Sequence, residues 1–104
     1  MKLPIIAFAC VNYENSRLTL DFCESLKSQR GLGHLFQVIC IVVDNSPDAP
    51  DSMNFRKSLL KFNWVDYIAS SANLGYFGGL NRGMEELVLD DIDFLVLCNN
   101  DLKI

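Results

Sequence analysis

Apolar residues along this chain come in short, regularly spaced blocks, each closed by a polar cluster. Residues 5–11, IIAFACV, make a continuous apolar run of strand length that stops at Asn12-Tyr13-Glu14-Asn15-Ser16. The period then changes. Over residues 17–29, Leu18, Phe22 and Leu26 recur every fourth position, the spacing of one helix face, with Asn15 or Ser16 placed as a cap and Gly31 and Gly33 placed to end it. Residues 36–43 contain VICIVV, with β-branched side chains on both faces, and predict a central strand halted by Asp44-Asn45-Ser46-Pro47. A turn over 47–51 leads into a helix predicted over 52–62, whose apolar side includes Phe55, Leu59 and Phe62. Residues 65–69 predict a short third strand. Beyond a glycine-rich turn, Leu80, Met84, Leu87 and Val88 form the stripe of a third helix, and residues 94–98, FLVLC, predict a fourth strand.

This alternation predicts an α/β fold: a three-layer α/β/α sandwich around a mostly parallel, Rossmann-like sheet with right-handed crossovers. At 104 residues, without repeat, low-complexity segment or linker, the chain reads as one domain. The polar clusters follow residues 11, 43, 69 and 98, so all four fall on the carboxyl edge of the sheet, where open α/β sheets collect ligands.

Composition narrows the ligand. Half the residues are apolar, which suits a sheet covered on both faces and excludes disorder. A net charge of -4 argues against a general nucleic-acid surface. A nucleotide or sugar phosphate is still compatible, because backbone N–H groups, one arginine and a divalent cation neutralise phosphates in an acidic protein. Cys10, Cys23, Cys40 and Cys98 include no CxxC pair and read as buried, reduced thiols. With His34 the only histidine, a zinc site is poorly supported. That usage fits a reducing compartment and a cytoplasmic location. The N-terminal apolar run is interrupted by Pro4 and lacks a small-x-small cleavage pattern, so it reads as a strand rather than a secretion signal.

Two motifs concentrate the candidate chemistry. Asn73-Leu74-Gly75-Tyr76-Phe77-Gly78-Gly79-Leu80-Asn81-Arg82-Gly83 joins a glycine-rich turn to an amide and a cation where a helix begins, and Gly75, Gly78 and Gly79 would allow close backbone approach to a ligand. Asn99-Asn100-Asp101 follows the fourth strand, where one carboxylate together with substrate phosphates suffices for a hard divalent cation. Asp44 is placed either to accept hydrogen bonds from a base or sugar, or to cap its own turn through the N–H of Ser46. Tyr13 is placed to lie against a base, or is an ordinary half-exposed aromatic. Walker A fails for want of its lysine, the dinucleotide fingerprint fails on position and spacing, and no G-x-S-x-G elbow exists. The run Glu85-Glu86, Asp90-Asp91 and Asp93 reads as a solvated face.

Taken together, Val42-Val43-Asp44-Asn45-Ser46, the glycine-rich segment and Leu97-Cys98-Asn99-Asn100-Asp101 resemble the nucleotide-sugar-binding part of family 2 glycosyltransferases of GT-A fold, rhamnosyltransferase-like members in particular. The resemblance runs over nearly the whole chain but over only the first half or less of a usual catalytic domain, so a truncated transferase is expected. It implies that Asn12 and Tyr13 line a base pocket and that Asp44 contacts the base of a UDP-, dTDP- or GDP-sugar. It further implies that Asn73, Gly75, Asn81 and Arg82 shape the nucleotide site and that Asn99 meets the ribose. Asp101, at the second acidic position of a DxD-like motif, would hold Mg2+ or Mn2+ against the diphosphate. The implied reaction is glycosyl transfer to an acceptor hydroxyl, on a saccharide or lipid-linked saccharide in polysaccharide biosynthesis, at the cytoplasmic face of a membrane in the full-length protein. The general base would lie beyond residue 104, so the 104-residue chain is expected to turn over weakly or not at all, and its uncovered surfaces are expected to self-associate. Two other readings compete. A nucleotidyltransferase would want a phosphate-binding cation near the first strand, where only Arg17 is available, and a non-catalytic α/β scaffold would bind partners but no nucleotide-sugar.

Overall fold

A computed structural model describes residues 2–70, 75–85 and 91–99. Its elements run β1 (Ile5–Asn12), α1 (Ser16–Lys27), β2 (Gln37–Asp44), α2 (Ser52–Leu59), β3 (Val65–Ala69), α3 (Gly75–Glu85) and β4 (Phe94–Asn99). The strands form one sheet in the order β3-β2-β1-β4, and every pairing is parallel. The chain steps outward from β1 to β3, then crosses back through α3 to lay β4 on the far side of β1. The direction of winding therefore reverses between β1 and β4, which opens a crevice at their carboxyl ends.

The two sheet faces are built differently. One carries Phe8 and Cys10 of β1, Val38, Cys40 and Val42 of β2 and Cys98 of β4, packed against Phe22, Cys23 and Leu26 of α1 and Phe55 and Leu59 of α2. The Phe8 and Phe22 rings meet edge to face at 5.8 Å. All four cysteines are buried and free. The other face carries Ala9 and Val11 with Leu80 of α3. Small residues are needed here because α3 lies so close: a β-carbon at Gly79 would stand 2.7 Å from Val11 Cγ2, and one at Gly83 would stand 3.3 Å from Val43 Cγ2.

Several expectations change at this level. The glycine-rich segment is mostly helix: α3 begins at Gly75, five residues before the first member of its predicted apolar stripe. Gly79 and Gly83 are four apart on one helical face and serve helix-to-sheet packing, so Gly79 does not offer its backbone to a ligand. Gly75, with φ of +71° and open space around its α-carbon, is the true turn glycine. Leu18, expected inside, is 40% exposed, and Thr19 and Cys23 are buried beside Phe22 and Leu26 instead. Asn15 occupies the N-cap position of α1 without a side-chain capping bond, and its Oδ1 accepts the N–H of Tyr13. Leu87 and Val88 lie outside the described residues. No helix among the described residues is long and apolar enough to cross a membrane.

Candidate functional site

The register brings the ends of three strands level, with Asn12 opposite Asp44 and Asp44 opposite Ala69. On the other side of β1, Asn99 pairs with Val11, one residue short of Asn12. Three polar residues separated by up to 87 positions thus share the carboxyl edge because parallel strands start and stop together.

Asp44 is the centre of this edge and has no exposed surface. Its Oδ1 accepts hydrogen bonds from Asn12 Nδ2 at 3.2 Å, from the Ser46 N–H at 3.0 Å and from Ser46 Oγ at 3.1 Å. Its Oδ2 accepts the Tyr67 hydroxyl at 2.7 Å. The bond to the Ser46 N–H is the turn-capping role, and the remaining donors make Asp44 a hub as well. A buried carboxylate with several donors is held firmly, because freeing any donor would leave it unpaired in a low-dielectric setting. Tyr67 responds to the same contact: burial first, then the bond to Asp44, push its hydroxyl well above the ordinary tyrosine range. The Arg56 guanidinium lies over the Tyr67 ring at 5.2 Å and opposes that shift.

Around the hub the network widens. Asn12 is itself buried, and its Oδ1 accepts the Thr19 hydroxyl at 2.8 Å, which ties α1 to the end of β1. The Glu14 N–H donates to Ser46 Oγ at 2.8 Å, joining the loop after β1 to the loop after β2. Glu14 holds φ at +52°, the only non-glycine residue in the left-handed region among those described, so this loop is fixed against its intrinsic preference. Asn45 is buried against α3 and donates Nδ2 to the Gly75 carbonyl at 3.0 Å, linking the end of β2 to the start of α3.

The predicted site residues divide accordingly. Asn12 and Asp44 sit at the core of the network, and Tyr13 stands next to it, half exposed. Gly75 is bound to it through Asn45. Asn81 is exposed on α3, and Arg82 is half-buried one residue on, 4.0 Å from Glu85. Asn99 is exposed at the tip of β4. Asn73 and Asp101 lie outside the described residues. Thr19, Asn45 and Tyr67 were not singled out from sequence as individual residues of the site. Tyr67 follows the period-2 alternation that puts it on the Asp44 face two positions before the strand end, which is the signal that would have found it.

The fold is that of GT-A-type glycosyltransferases. The chain superposes with a TM-score of 0.75 on the mannosyltransferase PcManGT from Pyrobaculum calidifontis in complex with GDP-Man and Mn2+, at 12% identity, covering 97% of this chain and 28% of that one. On S. aureus TarS 1-349 the TM-score is 0.73 at 13% identity, covering 92% of this chain and 27% of that one. The chain thus spans little more than a quarter of the length of these structures. No protein-family model matches the sequence, and no curated protein does.

Proposed function

We propose that this chain is the nucleotide-sugar-binding portion of a glycosyltransferase of the family 2, rhamnosyltransferase-like kind, taking a UDP-, dTDP- or GDP-sugar at the carboxyl edge of its sheet. The observation that carries this reading is the Asp44 hub, placed beside the β1/β4 crevice of a fold shared with a mannosyltransferase solved with GDP-Man and Mn2+. A carboxylate bonded through both oxygens is held rigidly, and rigidity at a sheet edge lets a site recognise a flexible ligand without ordering its own side chains. Asn12, Ser46 and Tyr67 are held by Asp44, and Tyr13 offers an aromatic face for the base. Asp44 has no exposed surface, so it meets the base directly only if a neighbouring group moves aside. Asn73, Gly75, Asn81, Arg82 and Asn99 complete the nucleotide side.

Among the described residues no group of three or more His, Cys, Asp or Glu side chains stands ready to hold a metal. In this reading the ion is held by Asp101, two positions beyond Asn99 in sequence, and by diphosphate oxygens, which is how Mg2+ and Mn2+ are held when one carboxylate serves. When bound, the ion supplies charge stabilisation for the departing nucleoside diphosphate. In this reading the acceptor hydroxyl, on a saccharide or a lipid-linked saccharide, and the general base that deprotonates it belong to the longer protein, acting in polysaccharide biosynthesis at the cytoplasmic face of a membrane. The isolated chain binds without turnover.

Calorimetry with UDP, dTDP, GDP and their sugars, with and without Mn2+, tests the reading. The parent chain is expected to bind one of them in a metal-dependent manner, and Asp101→Ala is expected to remove the metal dependence. Absence of any binding to folded chain would refute it.

A further inference from the structure

The amino edge of the sheet, at the far end of the strands from the Asp44 network, has a corner of opposite sign to the chain as a whole. No Asp or Glu occurs from Ser25 to Val43 or from Ser52 to Val65. These stretches hold Lys27, Arg30, Arg56, Lys57 and Lys61, five of the nine lysines and arginines of a chain of net charge -4, together with His34. All six are exposed, and among the described residues none of the five cations is in an ion pair. Lys27, Arg56 and Lys57 sit in the last turns of α1 and α2, where a cation also answers the helix dipole. Arg30, His34 and Lys61 lie beyond both helices, in the connections that enter β2 and β3, and have no such role. Asp91 and Asp93 precede β4, two strands away from β2, so the positive corner belongs to the β2/β3 side.

That corner is also apolar. Pairing of β3 with β2 begins at Val65 opposite Cys40, three residues into β2, and beside the unpaired start of β2 lies an open cavity of about 520 Å³. Leu32, Val38, Ile39 and Trp64 line it, with Gln37 and Asn63. Trp64, the only tryptophan, is half-buried, its ring 5.2 Å from that of Phe62, and Lys27 Nζ stands 6.0 Å from the Phe62 ring. Leu35 and Leu60, in the same two connections, are 72% and 69% exposed.

We infer that this corner docks on a bilayer rich in anionic lipid, with Leu35, Leu60 and the Trp64 ring at headgroup depth and the cations among the lipid phosphates. Positive charge alone suits any polyanion. Protruding leucines beside an indole decide for a bilayer, because a soluble polyanion offers them nothing apolar to enter, whereas the membrane interface takes leucine and tryptophan below and lysine and arginine above. The inference gives the membrane placement proposed above a contact surface on this chain, and it stands independently of the nucleotide-sugar reading. It also sets an orientation: β2 is eight residues long, roughly 26 Å from end to end, so the Asp44 edge is turned toward water.

The test is flotation of the 104-residue chain, without nucleotide, with vesicles of phosphatidylcholine alone and of equal parts phosphatidylcholine and phosphatidylglycerol. Binding is expected to the anionic vesicles only, and to weaken as salt is raised. Arg30→Glu and Lys61→Glu should each lower affinity by about fivefold or more, the size of one cation at a charged surface. Arg17→Glu makes the same charge change at the other end of α1 and should lower it clearly less. Leu35→Ser leaves the charge alone and should still weaken binding. The parent chain supplies a readout that needs no variant: Trp64 emission should shift to shorter wavelength on binding and be quenched by lipid brominated in the upper acyl chain. Absence of vesicle binding, equal binding to both vesicles, equal losses from Arg17→Glu and Arg30→Glu, or binding that leaves Trp64 unquenched would each overturn the inference. So would binding to soluble polyphosphate but not to vesicles. None of these outcomes bears on nucleotide binding, which calorimetry reads separately.

Discussion

At Gly79 the α-carbon faces the side chain of Val11, and a methyl placed there would lie 2.7 Å from Cγ2 and 3.0 Å from Cγ1. Val11 is β-branched and held in a strand between two neighbours, so it has little freedom to turn aside. Gly79→Ala gains roughly 1 kcal/mol of helix propensity, but the overpacking outweighs it, and a net destabilisation of about 1–2 kcal/mol is expected in urea unfolding. Adding Val11→Ala to that chain should recover part of the loss, since it removes both clashing methyls. Tyr67→Phe deletes the 2.7 Å bond to Asp44 Oδ2 while keeping the ring that packs on Phe55. It should lower stability by about 1–3 kcal/mol, the usual consequence of leaving a buried partner unpaired. At this scale the sequence was only partly legible. That Asp44 ends a strand and bonds to the Ser46 N–H follows from local chemistry, whereas Tyr67 and Thr19 enter the network through neighbours that are distant in sequence.

Among the elements, β1, β2, β3 and β4 were readable to within a residue or so at each end, because continuous β-branched and apolar runs closed by polar clusters have few alternatives. The helix α3 was placed late for a physical reason. Glycine lowers helix propensity, so four glycines in nine residues read as a turn, and only packing against Ala9 and Val11 makes the helix stable there. Titration probes the elements together. Cys98, buried at the inner face of β4 and close to Cys10 and Cys23, is pushed up from 9.0 to about 12, chiefly by burial. Tyr67 on β3 is raised from 10.0 and Cys40 on β2 from 9.0. A group that keeps its proton longer when folded stabilises the fold fully below its unfolded pKa and ceases to do so as pH climbs through the folded value. Stability is therefore expected to be flat near neutrality and to fall from about pH 9 upward. Cys98→Ala should flatten part of the loss between pH 9 and 12, and denaturant midpoints across that range measure it.

For the whole molecule, the strand order decides what is exposed. Among the described residues β4 is the sheet edge on the β1 side, and Phe94, Leu95 and Leu97 are 61%, 37% and 45% exposed there. No charge, proline or bulge guards this strand, the usual protections of an open edge. Self-association of the 104-residue chain is accordingly expected. Sedimentation should show a concentration-dependent rise in mass that Leu97→Lys reduces, and a clean monomer at high concentration would contradict it. The sequence by itself determined the alternation of strands and helices, the parallel sheet with its carboxyl-edge polar clusters and the reduced state of the cysteines, because apolar periodicity and composition act locally. Tertiary structure decided that Asp44 is buried and bonded through both carboxylate oxygens, that Gly79 and Gly83 serve packing, and that the amide oxygen of Asn45 has no hydrogen-bond partner among the described residues. Those outcomes depend on strand register and on how close α3 lies to the sheet, and both are set by contacts between residues far apart in the chain.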